Sequence, residues 1–327
     1  MKKITVTAPA NIAFVKYWGK RSNKLRIPLN DSISMNLSGA YTTTTVEFNP
    51  LLTHDEIFFL GEKISISETE RMTKHLDRIR KIARKNIFAR VVTKNSFPKG
   101  TGIASSASGF AALTVAAAEA IGLQLTEKEL TILARLGSGS AARSVPDGFV
   151  WWHAGKKSKD SYAQSLYPET RWSIRDIVCV VTTEAKKTSS TEGMDAVRTS
   201  PYWKTRVQQI PEKIVAMQAA LQVKDMHAFG ALLEEDAISM HCVMMTQHPA
   251  LFYWNDTTLR VMDAVYELRA SGIPAYYTMD AGPNVHIMCE EKNGEIVSSA
   301  MEKVFGVQSV IVNAPAGGAH CIEQHLF

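Results

Sequence analysis

The sequence predicts an α+β fold in two units, and three observations predict it. Strand patterns crowd the first third of the chain, helix patterns dominate beyond about residue 185, and a polar stretch at 184–190 separates the two. The N-terminal unit is expected over 1–187 and the C-terminal unit over 188–327.

Taken in order, alternation of apolar and polar residues marks extended segments at 4–8 and 12–17. Residues 34–37 and 41–48 flank Ser38-Gly39-Ala40 and read as a hairpin, and 56–60 and 63–66 flank Gly61-Glu62 and read as a second. Residues 68–85 carry helical spacing, with Met72, Leu76, Ile79 and Ile82 on one face and Arg/Lys on the other. A strand follows at 88–93. A Gly/Ser-rich segment from Asn95 to Ser108 then runs into an Ala-rich helix reaching about Ile121. Thr126 and Glu129 form a capping box that opens a helix ending at Gly137. Strands are expected at 149–153 and 177–182. Helices follow at 190–198, 201–221, 224–241 and 257–271, then strands at 275–279 and 285–290, a helix at 293–304 and a last strand at 308–313.

The composition narrows the function classes. A chain of 327 residues with 45% apolar and 21% charged residues can bury a sizeable core, so it is globular and not disordered. A net charge of +5, spread along the chain, is too mild for a nucleic-acid protein and suits a small anionic substrate. The four cysteines form no CxxC pair and lack zinc-ligand spacing, which reads as free thiols in a reducing compartment. The start imitates a signal peptide, but Asn11 and Lys16 interrupt its apolar run. The longest apolar stretch, 109–123, contains Glu119 and is too short to span a bilayer. A cytoplasmic protein with no membrane segment is expected.

The strongest local signal is Pro98-Lys99-Gly100-Thr101-Gly102-Ile103-Ala104-Ser105-Ser106-Ala107, between a strand and a helix. Glycines let the backbone approach a ligand closely, and the helix start offers unpaired N–H groups and a positive dipole end. Serine hydroxyls add donors, so the segment is a phosphate cradle. It is neither a Walker A loop nor a dinucleotide fingerprint, because the spacing of both fails. A second run, Gly137-Ser138-Gly139-Ser140-Ala141-Ala142-Arg143-Ser144, brings an arginine and suggests a second anionic group.

These residues resemble the GHMP kinase superfamily, in the form typical of diphosphomevalonate decarboxylases. The loop from Lys99 carries the likeness, and so do Ala8-Pro9-Ala10-Asn11 through Lys16-Tyr17-Trp18-Gly19-Lys20-Arg21. Pro28-Leu29-Asn30-Asp31-Ser32, Gly137 to Ser144, Ser189-Ser190-Thr191-Glu192-Gly193-Met194, Phe252 to Thr257, and Met279-Asp280-Ala281-Gly282-Pro283-Asn284 agree in the same order. The resemblance implies an N-terminal domain like ribosomal protein S5 domain 2, a ferredoxin-like C-terminal domain, and an active site in the cleft between them. It implies ATP and Mg²⁺, and phosphorylation of the tertiary 3-hydroxyl of mevalonate 5-diphosphate. Loss of phosphate and CO₂ then gives isopentenyl diphosphate. A homodimer is expected on the same ground.

Site residues follow from the matched positions. Asp280 is implied as the catalytic aspartate at the 3-hydroxyl, with Lys16 nearby to stabilise negative charge. Arg143 suits the carboxylate, because a guanidinium grips both oxygens in a fork, and Ser140 assists it. Tyr17, Lys20 and Ser190 match positions that hold the diphosphate. Lys99, Gly100, Gly102, Ser105, Ser106 and Ser108 are expected at the nucleotide, and either Ser105 or Ser106 can face the transferred phosphoryl. No metal-binding side chains are expected. The chain departs from some bacterial members at Thr191, where they carry arginine; Arg78 or Lys74 is the expected substitute. His241 is expected to pack or hydrogen-bond. The competing reading is a kinase that phosphorylates mevalonate or a mevalonate phosphate without decarboxylation. Related 3-kinases replace the Lys16 and Asp280 pair that this chain keeps.

Overall fold

The computed structural model describes residues 2–61, 63–97, 105–182 and 188–327. The strands are β1 (Ile4–Val15), β2 (Lys20–Ser22), β3 (Ile27–Pro28), β4 (Ser32–Phe48), β5 (Glu56–Phe59), β6 (Ala89–Asn95), β7 (Phe149–Trp152), β8 (Ala163–Tyr167), β9 (Ile174–Val180), β10 (Ala275–Thr278), β11 (Val285–Glu290), β12 (Ser309–Asn313) and β13 (His320–Ile322). The helices are α1 (Ile66–Ala83), α2 (Ser105–Ala120), α3 (Glu127–Gly137), α4 (Ser190–Asp195), α5 (Trp203–Val223), α6 (Met226–Thr246), α7 (Asp256–Ala270) and α8 (Gly294–Glu302).

A seven-stranded sheet runs β13-β1-β4-β6-β5, with β7 joined to β4 and β8 to β7. A four-stranded sheet runs β10-β11-β9-β12. The first sheet buries one face under α1 and α2, where Ile4, Val6 and Ala8 meet Met72, Leu76, Ile79 and the alanines of α2. Helix α2 is buried almost all round, so small side chains let it lie close against the strands. Phe14, Ile12 and Met35 pack on α5 and α6 through Ile210, Ile214, Met217 and Phe229, which ties the two sheets together. Helices α7 and α8 cover the second sheet with Val261, Val265, Val297 and Met301.

The structure revises the predicted strands. Segments 4–8 and 12–17 are one strand, β1. The hairpin expected at 38–40 does not form, because β4 continues through Leu37 to Ala40 as extra residues between two stretches paired with β1. Ser38-Gly39-Ala40 has turn chemistry, but its N–H groups find other partners: Ser38 donates to the Ala314 carbonyl at 3.0 Å and Gly39 to Asn313 Oδ1 at 3.0 Å. The second hairpin is also absent, since β5 pairs in parallel with β6 and Ser65 caps α1 in a capping box with Glu68. Sheet membership cuts across the expected division at 187/188. β9, before it, belongs to the four-stranded sheet, and β13, near the C-terminus, pairs back onto β1. The apolar run of β9 pairs better between β11 and β12 than at an edge of the first sheet. Residues 183–187 of the polar divider lie outside the described residues.

Candidate active site

Where β1 ends, Lys16 turns inward instead of toward water. It is 2% exposed, and its Nζ donates to the Ala13 carbonyl at 2.7 Å and to Asp280 Oδ1 at 2.7 Å. Its main chain is gripped on both sides. The Lys16 N–H donates to Asp236 Oδ2 at 2.8 Å, while Arg206 donates to the Lys16 carbonyl at 3.0 Å and to Asp236 at 3.0 Å. Asp236 and Arg206 are both buried, so this ion pair between α5 and α6 fixes where β1 delivers the lysine. Asp280 sits just past β10 in a short turn. Its carbonyl accepts from His241 Nε2 at 3.1 Å and from the Gly282 N–H at 2.8 Å.

Burial would raise the Asp280 carboxyl, but the charge and hydrogen bond of Lys16, with His286 and Arg143 beyond, hold it at about 2. Burial lowers Lys16 against the pull of Asp280 and Asp236. Burial and the Lys16 charge together push His241 down to about 3, so it is neutral and its Nε2 carries the proton given to Asp280. The carboxylate is therefore a fixed anion at neutral pH. It suits orienting a hydroxyl better than taking its proton early.

Arg143 lies in the 3-10 turn 139–144 that follows α3. It is 3% exposed, and its Nε and one terminal nitrogen donate to Asn11 Oδ1 at 3.0 and 2.9 Å while the other donates to Ser32 Oγ at 3.0 Å. Its ring neighbours are Tyr17 and Trp152, which meet edge to face with centroids 4.8 Å apart. A side chain on Gly139 would lie 2.7 Å from the Tyr17 hydroxyl, so glycine here lets that hydroxyl rest against the backbone. Burial lowers Arg143, and Tyr17 and Asp280 oppose that.

Lys16, Asp280, Arg143, Tyr17, Lys20, Ser140, Ser190 and Ser106 line one cleft, so the structure brings those eight predicted residues together. Lys20 pairs with Asp195 at 2.9 Å and donates to the Thr191 carbonyl at 3.3 Å. Ser106 and Ser138 share a hydrogen bond of 3.1 Å between their hydroxyls. Ser105 opens α2 and lines an adjoining pocket with Phe59, Met72, Thr93, Phe110 and Leu113. Ser108 is set apart: it is fully buried, with its hydroxyl bonded to Thr42 Oγ1 at 2.7 Å, so it supports the sheet and does not face a ligand. Lys99, Gly100 and Gly102 lie outside the described residues. Neither expected substitute for the missing arginine lines the cleft. Lys74 pairs with Glu70 at 3.3 Å on an exposed face, and Arg78 faces His75 Nδ1 at 3.5 Å. Arg26 and Arg71 line the cleft in their place. Sequence reasoning missed them, along with Ser138 and the Asp236–Arg206 pair. Only Ser138 had a signal, as part of the second Gly/Ser run.

The apolar pocket beside the N-terminus of α2 fits a nucleotide, with Met72, Phe110 and Leu113 for a base and Ser105 and Ser106 for phosphates. Among the described residues no group of three or more His, Cys, Asp or Glu could hold a metal ion.

Fold and cleft together define a small-molecule kinase fold of the GHMP type, with an S5-like sheet unit and a ferredoxin-like unit around one phosphate-binding cleft. Residues 8–163 match the diphosphomevalonate decarboxylase-like N-terminal domain, and residues 176–322 match the mevalonate 5-diphosphate decarboxylase C-terminal domain. The chain belongs to the diphosphomevalonate decarboxylase family. Diphosphomevalonate decarboxylase of Candida albicans is 37% identical over 324 residues, covering 94% of this chain and 89% of that one. The crystal structure of mevalonate diphosphate decarboxylase from Staphylococcus aureus superposes with a TM-score of 0.94 at 38% identity, covering 98% of each chain. MDDEF in complex with MVAPP, AMPPCP and magnesium superposes with a TM-score of 0.92 at 33% identity, covering 98% of this chain and 99% of that one.

Proposed function

We propose that Lys16, Asp280 and Arg143 are the reacting centre of an ATP-dependent decarboxylation that converts mevalonate 5-diphosphate to isopentenyl diphosphate, ADP, phosphate and CO₂. The observation that carries the assignment is the 2.7 Å contact between Lys16 and Asp280 inside a cleft that also holds Arg143 and borders the start of α2. The N-terminal unit takes the nucleotide, with Ser105 and Ser106 at its phosphates and Mg²⁺ neutralising phosphate charge when bound. Lys99, Gly100 and Gly102, outside the described residues, are assigned to the nucleotide on the sequence likeness alone. The C-terminal unit supplies Asp280.

Asp280 accepts a hydrogen bond from the 3-hydroxyl and aims its oxygen at the γ-phosphorus. As the O–P bond forms the hydroxyl becomes acidic, and the carboxylate then takes its proton. Lys16 faces the same oxygen and offsets the charge it carries. Arg143 keeps donors free beyond those given to Asn11 and Ser32, and these grip the substrate carboxylate until the C–C bond breaks. Tyr17, Lys20, Ser140 and Ser190 hold the rest of the substrate. A cytoplasmic location, a homodimer and no nucleic-acid partner go with this reading. The four cysteines are free, which supports a reducing compartment.

The test is a substrate panel of mevalonate, its 5-phosphate and its 5-diphosphate, with ADP and CO₂ followed together. Equal release of both from the 5-diphosphate is the expected result. ADP without CO₂ would reassign the chain to a kinase.

A further inference from the structure

Arg26 has no task in the reaction as described, yet the fold presents it to the cleft. It ends the four-residue turn 23–26 between β2 and β3, its N–H bonded to the Asn23 carbonyl at 3.3 Å. Its φ is +49°, a position in such turns where glycine or asparagine is favoured. The other non-glycine residues with positive φ, Arg84 and Lys224, close α1 and α5 and give their N–H groups to the last helical turn. Arg26 closes no helix. The turn is pinned from below, since buried Arg135 donates to the Leu25 carbonyl and to Ser158 and Ser161. The strained arginine is therefore held in place, and strain of this kind marks functional positions.

The guanidinium of Arg26 has no hydrogen-bond or ion-pair partner among the described residues. Its neighbour Arg71 is little better served, with a bond of 3.5 Å to the Gly137 carbonyl and the Phe110 ring 5.1 Å away. Burial and then the charge of Arg26 lower Arg71, against the opposing pull of Glu68. Two half-buried cations side by side are favourable only when an anion completes the set.

Which anion is settled by position. Arg71 and Ser106 line both the cleft and the adjoining nucleotide pocket, so they stand at the junction of the two. In the reaction proposed above, on which this inference rests, one group belongs to both reactants. It is the phosphoryl that leaves ATP for the 3-oxygen. We propose that Arg26, acting with Arg71, neutralises that phosphoryl group during transfer. The 3-oxygen bonds to the γ-phosphorus as the bond from that phosphorus to the β–γ bridging oxygen breaks. ADP keeps the bridging oxygen and its electron pair, and the hydroxyl proton goes to Asp280. Charge spreads over three equatorial oxygens, and the two guanidinium groups offset it together with Lys16.

Arg26→Gly tests this without endangering the fold, because glycine accepts the positive φ. Binding is measured by calorimetry with saturating mevalonate 5-diphosphate, using ADP and a non-hydrolysable β,γ-methylene ATP analogue. Arg26→Gly weakens the analogue about tenfold, as loss of a charge-assisted contact to one phosphate would, and leaves ADP within about twofold. Its thermal midpoint stays level or rises, and added guanidinium ion restores part of the lost turnover. Equal weakening of both nucleotides overturns the proposal. So does unchanged analogue binding with weaker mevalonate 5-diphosphate, which would give Arg26 to the diphosphate. ADP without CO₂ in the unmutated chain is a separate failure, that of the decarboxylase reading.

Discussion

The two ends of the cleft are built on opposite terms. At the Lys16 end the protein supplies its own partners: Lys16 bonds Ala13 and Asp280, its main chain is clamped by Asp236 and Arg206, and His241 holds the Asp280 carbonyl. At the Arg26 end two guanidinium groups stand nearly unpartnered. The first end is finished before any ligand arrives and fixes geometry to within a hydrogen bond. The second is finished only by an anion. Preorganisation at the site of bond making and open charge at the site of phosphate arrival are two ways to favour one transition state.

Asp280→Asn breaks the comparison most severely. An amide cannot pair with Lys16 as a carboxylate does and cannot accept the hydroxyl proton, so turnover falls by about 10³-fold or more. Binding of the ATP analogue survives, because the nucleotide pocket beside α2 does not include Asp280. Steady-state kinetics with calorimetry on one preparation separates the two effects. Turnover within a factor of a few of the parent would remove Asp280 from the chemistry.

Arg143→Lys is the next largest. Three of the five guanidinium donors go to Asn11 and Ser32, and the remainder are what a carboxylate can use. An ammonium on a shorter stem cannot keep the Asn11 and Ser32 bonds and grip two oxygens as well. CO₂ release should fall about 10²-fold, with a smaller change in nucleotide binding. Near-normal decarboxylation kinetics in Arg143→Lys would take the carboxylate clamp out of the mechanism.

The sequence was most legible where one short segment carries its own chemistry. The capping box at Thr126, the helical spacing of α1 and the Gly/Ser runs need only local reading, whereas the capping box at Ser65 fell in a segment whose pattern reads as a strand. The pairing of Lys16 with Asp280 spans 264 residues and was reachable only because both stretches matched a known family in order. Ser38-Gly39-Ala40 misled because turn-forming residues also suit a strand whose N–H groups are taken by another segment, here the chain near Asn313. Asp236 and Arg206 are an ordinary helical acid and base until α5 and α6 close on Lys16. Arg26 was invisible because its meaning lies in a left-handed turn and an absent partner, and neither is written in residue type.

The effect most remote from turnover at neutral pH concerns stability at the ordered end of the cleft and beneath α1. His241 and His75 are fully buried, and burial with nearby cations pushes each down to about 3 from an ordinary value of 6.5. His75 bonds Thr114 Oγ1 at 2.8 Å and His241 bonds the Asp280 carbonyl at 3.1 Å, so both are held neutral in the fold. The unfolded chain binds these two protons below about pH 6.5 while the folded chain does not until about 3, so stability is intact above 6.5 and lost as pH falls. Each histidine contributes a slope of about 1.4 kcal/mol per pH unit through that window. Asp280, at about 2 in the fold, adds a loss of the same sign only below its unfolded value near 4. Urea unfolding at pH 7.5, 6 and 5 should therefore show falling stability well before carboxylates titrate. His75→Gln should flatten part of the slope while leaving the CO₂-to-ADP ratio at neutral pH unchanged. A slope in His75→Gln equal to the parent's would mean that this histidine takes up its proton in the folded chain, and that α1 does not seal it from water.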